Sequence, residues 1–158
     1  EEKMSDQLVT SLLKNACDES IGVVDSRFLC QSIGILDPKP PLSINPDTLL
    51  SEAVKFMQDR KVGCLCILDS RENLLGIFTE RDVLKYFGSE DRAVSSLMTS
   101  NVMTATMDAP IAYALNLMSH GGFRHLPIVD DTSACVGIIS VKDIVDYIAG
   151  RMTEALLA

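Results

Sequence analysis

The chain has 158 residues, 47% of them apolar, with 22 acidic against 14 basic side chains and a formal net charge of −8. That length and composition fit one globular unit able to bury about two-thirds of its unfolded surface, and they exclude a disordered chain. No run of about 18 apolar residues is present to span a bilayer, and the acidic balance argues against a nucleic-acid or anionic-membrane surface while leaving room for a small basic pocket.

Residues 1–34 begin with Leu8, Val9, Leu12 and Leu13, which suggest one helix, and residues 21–24 suit a short strand or helix. This extension is expected to be helical. It either covers apolar surface on the rest of the chain or is the stub of a larger partner domain. No charged-then-apolar leader opens the chain, so no secretory signal is expected. The cluster Pro38-Lys39-Pro40-Pro41 then marks entry to a new region.

Beyond the prolines, residues 42–44 suit an extended segment. Asp47 and Thr48 look like a helix start, with Leu49, Leu50, Ala53, Val54 and Met57 at helical spacing up to Arg60-Lys61-Val62-Gly63. Two strands come next at 64–69 and 74–79, joined by a turn of charged and small residues at 70–73. A short amphipathic helix at 80–87 closes the set. The same order then repeats: an extended segment at 102–105, a helix carrying Ile111, Ala114, Leu115 and Met118, and a glycine cap at Gly121-Gly122. Strands at 125–130 and 135–140 and a helix at 141–149 complete it.

The repetition is literal. Shifting the sequence by 61 residues aligns 36–87 with 97–148 without a gap, pairing Asp47 with Asp108, Ala53 with Ala114, Met57 with Met118 and Leu65 with Leu126. Ile67/Ile128, Asp69/Asp130, Gly76/Gly137, Ile77/Ile138, Asp82/Asp143 and Tyr86/Tyr147 match too. Two copies of β-α-β-β-α imply a pseudo-symmetric pair, each half too small to be comfortable alone. The organisation expected is an extension at 1–34, repeats at 35–90 and 91–150, and a tail at 151–158.

Catalytic signatures are missing. The sequence has no phosphate-binding GxxxxGK[ST] loop, no GxSxG elbow, no HExxH and no GxGxxG. Five cysteines (17, 30, 64, 66 and 135) lack CxxC spacing and only His120 and His125 join them. Neither a metal site nor a catalytic centre is expected, and the thiols read as reduced and mostly buried in a cytoplasmic protein. Cys64 and His125 could be imagined as a nucleophile pair, but they hold equivalent strand positions in the two halves. The plainer reading has Cys64 and Cys66 sharing one strand face in a core or cleft wall.

Two segments stand out: Gly76-Ile77-Phe78-Thr79-Glu80-Arg81-Asp82 and Gly137-Ile138-Ile139-Ser140-Val141-Lys142-Asp143. Thr79-x-x-Asp82 and Ser140-x-x-Asp143 read first as capping boxes that start a helix. The same geometry suits a ligand. Unpaired N–H groups at a helix start favour an anion, and Arg81 or Lys142 adds donors to it. The Asp carboxylate can accept two hydrogen bonds from a ribose diol. The glycine is expected to let another group come close to the backbone.

The duplicated unit with this motif, together with Phe123-Arg124-His125-Leu126-Pro127-Ile128-Val129-Asp130, resembles the cystathionine β-synthase (CBS) domain family in its tandem arrangement, the Bateman module. The likeness covers about residues 36–149. It implies an α+β fold of two β-α-β-β-α repeats packed through their sheets. It also implies a non-catalytic sensor holding adenine nucleotides (AMP, ADP, ATP or NAD) in clefts between the repeats and signalling by conformational change. Carried onto this sequence, one site would join Thr79, Arg81 and Asp82 to Thr104, Arg124 and His125. The second would join Ser140, Lys142 and Asp143 to Ser43, Gly63 and Cys64. With two arginines, the first is expected to prefer phosphorylated ligands, and the second to be weaker or to take a less charged nucleoside. A homodimer is expected, with apolar residues of the closing helices (Val83, Leu84, Phe87; Ile144, Val145, Ile148) divided between core and dimer face. A regulated enzyme or transporter is the implied partner. The competing readings are a ligand-free interaction scaffold and a sensor of S-adenosylmethionine, whose sulfonium would sit poorly against Arg124.

Overall fold

A computed structural model describes residues 26–157. The helix expected from Leu8–Leu13 and the element expected at 21–24 lie outside the described residues. The chain divides into two compact units. Of the described residues, one unit contains 26–38 with Thr106–Arg124 and 139–157, and the other contains Lys39–Ala105 with His125–Ile138.

The second of these units is built on a three-stranded sheet. Strand β1 (Ser43–Ile44) runs parallel to β2 (Cys64–Leu68), which pairs antiparallel with β3 (Leu74–Thr79). Helix α1 (Leu50–Arg60) connects β1 to β2, and α2 (Glu80–Lys85) follows β3 directly. Every residue of β2 from Cys64 to Ile67 is buried, because this central strand is covered on both faces. On one face Leu50, Ala53 and Met57 of α1 pack with Leu65, Ile67 and Phe78, and Val94 and Leu97 complete the cluster. On the other face Cys64, Cys66 and Ile77 pack with Cys135.

Helix α1 starts later than its sequence suggests. Asp47 and Thr48 lie in a turn, with the Thr48 N–H donating to the Asn45 carbonyl at 3.1 Å. Leu49 takes the cap position, and its N–H donates to the Glu52 carboxylate at 3.2 Å. A carboxylate reaching back from the third helical residue supplies what an apolar cap cannot.

The other unit is helical. Helix α3 (Ile111–Gly121) and helix α4 (Val141–Leu157) pack with a 3-10 turn at Ser26–Cys30 and another at Ile33–Leu36. Helix α4 continues through Leu157, so much of the expected tail at 151–158 is a prolongation of the closing helix. The end of the leader is woven into this unit. Ile33 N–H donates to the Ala109 carbonyl at 2.8 Å, Ile111 N–H to the Gln31 carbonyl at 2.9 Å, and the Tyr147 hydroxyl to Gln31 Oε1 at 2.7 Å. Ile33 is fully buried. Strands β4 (His125–Val129) and β5 (Cys135–Ser140) form the second repeat's hairpin, and Ala105 bridges Ile128 in parallel as β1 does β2.

The repeat is visible in the backbone as well as in the residues. In the β2–β3 turn Asp69 Oδ1 accepts the N–H groups of Arg71 (2.8 Å) and Asn73 (2.9 Å); in the β4–β5 turn Asp130 Oδ1 accepts those of Thr132 (2.8 Å) and Ala134 (3.1 Å). Each turn passes through one left-handed residue, Glu72 (φ 65°) and Ser133 (φ 67°). These bonds hold both carboxyls below the usual range, Asp69 chiefly through the Asn73 side chain and Asp130 chiefly through the Thr132 hydroxyl. The ends of α1 and α3 correspond too: Lys61 sits left-handed at φ 55° where the second repeat has Gly122 at φ 65°. A side chain in that conformation costs about 1 kcal/mol. Lys61→Gly is therefore expected to raise stability by roughly 0.5–1 kcal/mol, read as a higher urea midpoint at unchanged slope.

The described thiols divide into two kinds. Cys64, Cys66 and Cys135 are free and buried, as expected. Cys30 is disulfide-bonded, which corrects the expectation that all the thiols are reduced. No spacing motif marks that pairing in the sequence.

Candidate functional site

The two carboxylates singled out by their spacing occupy the same place twice, at the start of the helix that closes each repeat. Thr79 is extended (φ −127°, ψ 167°) and caps α2. Asp82 Oδ2 accepts both the Thr79 N–H and the Thr79 hydroxyl, each at 2.8 Å. In the second repeat Asp143 Oδ2 accepts the Ser140 N–H at 2.6 Å and the Ser140 hydroxyl at 2.7 Å, and the Asp143 N–H reaches Ser140 Oγ at 3.3 Å. One oxygen of each carboxylate is thus spent on the cap. The other, Oδ1, accepts no hydrogen bond among the described residues. Asp82 is half-buried and Asp143 exposed.

The start of each hairpin lies beside its own capping box. Cys64 pairs with Thr79 in the β2–β3 register, and the Glu80 N–H donates to the Gly63 carbonyl at 3.2 Å. The fit is tight, since a Cβ on Gly63 would lie 3.1 Å from the Glu80 carboxyl. Burial pushes the Cys64 thiol up to about 12, helped by the nearby charge of Asp82. In the second repeat the Val141 N–H donates to the Arg124 carbonyl at 3.0 Å.

Placed by unit, the expected first set falls mostly together. Thr79, Arg81, Asp82, Thr104 and His125 belong to the sheet unit, whereas Arg124 belongs to the helical one. Thr79, Thr104 and His125 are half-buried, and Arg81 and Arg124 are exposed. The second set is split: Ser140, Lys142 and Asp143 lie in the helical unit, and Ser43, Gly63 and Cys64 in the sheet unit. Ser43 is exposed on β1, in register with Cys66. The Lys142 ammonium pairs with Asp146, one turn further along α4, which holds it above the usual lysine range. Both partners are exposed, so the pair is weak and open to exchange with a ligand. Among the described residues no group of three or more His, Cys, Asp and Glu could hold a metal ion.

Gly76 has a different role from the one its position in the motif suggests. Its close neighbour is the chain itself: Ile77 and Thr99 exchange backbone hydrogen bonds at 3.0 Å in both directions. A Cβ on Gly76 would lie 2.6 Å from Met98 Sδ and 2.7 Å from the Thr99 carbonyl oxygen. The glycine makes room for residues 98–99 along β3. This contact joins positions distant in sequence, so no local pattern reveals it.

A feature that the sequence pattern does not reveal is a groove of about 510 Å³ between α1 and α2, lined by Val54, Met57, Lys61, Val62, Val83 and Leu84 among others. Leu84 is 80% exposed, and Phe87, just past the end of α2, is 86% exposed. On α4, Ile144 is buried while Val145 is 54% exposed. No helix among the described residues is long and apolar enough to cross a membrane.

This arrangement has close counterparts. The family model "CBS domain" matches residues 35–89 and again 94–150. An uncharacterised 17.7 kDa protein of Acidianus ambivalens is 36% identical over 103 residues, covering 64% of this chain and 63% of that protein. The inosine-5′-monophosphate dehydrogenase of Methanocaldococcus jannaschii is 35% identical over 106 residues, covering 67% of this chain. The chain spans only 21% of that enzyme's length, so the likeness is to one part of a larger protein. Among solved structures, the CBS domain pair of protein MJ0100, crystallised with 5′-methylthioadenosine and S-adenosyl-L-methionine, superposes with a TM-score of 0.72 at 29% identity, covering 77% of this chain and 98% of that one. With two consecutive matches to the family model over most of its length, the chain belongs to the CBS domain family and carries two CBS domains in tandem.

Proposed function

We propose that this chain is a non-catalytic regulatory module that binds an adenine nucleotide (AMP, ADP, ATP or NAD) and signals by a shift between conformations. The observation that carries the reading is the pair of half-used carboxylates. Asp82 and Asp143 are each fixed by the cap through one oxygen and keep the other for a ribose hydroxyl. Around Asp82, Thr79 and Arg81 of the first repeat and Thr104 and His125 of the second, all in the same unit, supply hydroxyl, guanidinium and imidazole groups. Arginine presents a planar fork of donors suited to phosphate, so this position takes the more highly charged ligand. In the second repeat Lys142 must give up Asp146 to reach a phosphate, and binding there is weaker. A cytoplasmic setting follows from where such nucleotides are abundant, and an enzyme or transporter would read the bound state.

A second copy of the chain is the proposed occupant of the α1–α2 groove. Leu84 lines that groove and Phe87 follows just after α2, both with apolar surface in water, which a symmetric dimer would bury. Leu84→Asp combined with Phe87→Asp is expected to convert a dimer to a monomer in light scattering, with the fold retained by circular dichroism. A monomeric wild-type chain would remove this part of the reading.

One observation favours a second ligand class. The MJ0100 domain pair was crystallised with 5′-methylthioadenosine and S-adenosyl-L-methionine. Both share adenosine with the nucleotides but lack phosphate. A thermal-shift panel of AMP, ADP, ATP, NAD, S-adenosylmethionine and methylthioadenosine separates the cases. Saturable stabilisation strongest with the phosphorylated ligands supports the proposal. A response only to the sulfur compounds selects the second reading, and no response to any of them selects a ligand-free scaffold.

A further inference from the structure

The cluster of free thiols on the far side of β2 has no part in nucleotide binding as proposed. Cys66 is the third residue of β2, and Cys135 opens β5, so one comes from each repeat. They are far apart in sequence, yet they share one buried apolar cluster with Cys64 and Ile77. Two backbone contacts hold the strands in place there: Asn73, at the entry to β3, bridges Ala134, and the Cys135 N–H donates to the Glu72 carbonyl at 3.3 Å. The Cys66 and Cys135 thiols lie close enough for each to shift the protonation of the other.

We propose that Cys66 and Cys135 form an oxidisable dithiol, which a hydroperoxide converts reversibly to an intramolecular disulfide that ties β2 of the first repeat to β5 of the second. The two sulfurs have unlike roles. Cys66 is fully buried, whereas Cys135 keeps 8% exposure and is the one that a small oxidant meets. The coupling between them is unequal: it holds the Cys66 thiol above the usual cysteine range and lowers Cys135, so Cys135 gives up its proton the more readily. The Cys135 thiolate attacks the peroxide O–O bond, becomes a sulfenic acid and releases hydroxide. The Cys66 sulfur then attacks the sulfenic sulfur; the S–S bond forms, and the Cys66 proton leaves with the displaced hydroxyl as water. The two thiols lose two electrons and the peroxide gains two. Cys64, although in the same cluster, stays a thiol, because burial holds it protonated and its partner is already taken by Cys66.

The experiment needs only the intact chain. The protein is treated with hydrogen peroxide at neutral pH, blocked with N-ethylmaleimide and digested with trypsin. The peptides spanning 62–71 and 125–142 hold all three thiols. They are expected to appear joined, lighter by two hydrogens than the sum of the two peptides with Cys64 carrying N-ethylmaleimide, and to separate on treatment with dithiothreitol. The join is expected to survive Cys64→Ala and to disappear in Cys66→Ala and in Cys135→Ala. Peptides recovered separately from the oxidised wild-type chain overturn the proposal without any variant being needed. A join that persists in Cys66→Ala overturns it as well, by assigning the bond to Cys64.

Discussion

Asp82→Ala is expected to weaken adenine-nucleotide binding by about ten- to a hundredfold, as measured by titration calorimetry. The figure follows from the strength of a hydrogen bond to a charged acceptor, about 1.5–3 kcal/mol. The substitution also removes the acceptor for the Thr79 N–H and hydroxyl, both 2.8 Å from Asp82 Oδ2. The end of α2 then loses part of its cap, at about 1 kcal/mol of stability. The two effects separate in Asp82→Asn, which keeps an oxygen for the cap but loses the charge. Its stability should stay near wild type while affinity still falls. Asp143→Ala should cost less, since that carboxylate is exposed and its neighbour Lys142 is occupied by Asp146. Equal affinity in wild type and Asp82→Ala would mean that the carboxylate serves the helix cap alone.

Gly76→Ala is the substitution with the largest expected effect on stability. The new methyl would meet Met98 Sδ at 2.6 Å and the Thr99 carbonyl oxygen at 2.7 Å. The methionine side chain can swing aside, but the carbonyl belongs to backbone locked by two hydrogen bonds to Ile77. Something in the sheet must shift, at a cost of about 2–3 kcal/mol, or a loss of roughly 5–10 °C in Tm. Gly122→Ala is the control. A Cβ there meets nothing within 4 Å, so only its left-handed φ of 65° resists the change, and the loss should be about 1 kcal/mol. If the two variants melted alike, steric crowding by residues 98–99 would not be what reserves position 76 for glycine.

The parts of the molecule legible in the sequence are those set by neighbours a few residues apart. The hairpins, the capping boxes at Thr79 and Ser140 and the glycine cap at Gly122 each follow from local geometry, and the 61-residue offset shows the hairpins and the capping boxes twice. The split among the closing-helix residues is legible only as a choice. Ile144 falls to the core, and Leu84 and Val145 remain exposed, because each helix buries only one stripe; Phe87 is exposed because the helix expected to reach it ends at Lys85. What escapes the sequence depends on chain segments that meet only after folding. Gly76 reads as part of a ligand-binding motif until Thr99 is found against it. The leader reads as a separate extension until Gln31 and Ile33 are seen bonded to Ile111, Ala109 and Tyr147. The start of α1 misleads for a different reason. Asp47 and Thr48 are good capping residues, but they serve a turn, and Glu52 caps the helix from within. In the site, residue types mark Asp82 and Asp143 correctly as helix-start carboxylates, but they cannot reveal that Lys142 is held by Asp146.

The central claim is that a carboxylate at a helix start grips the sugar of an adenine nucleotide. Comparing the affinity of the unaltered protein for AMP with that for 2′,3′-dideoxy-AMP tests it most directly, because the change is made in the ligand and the fold is untouched. The account predicts that removing the diol weakens binding about tenfold or more. Equal affinities for the two ligands would contradict it.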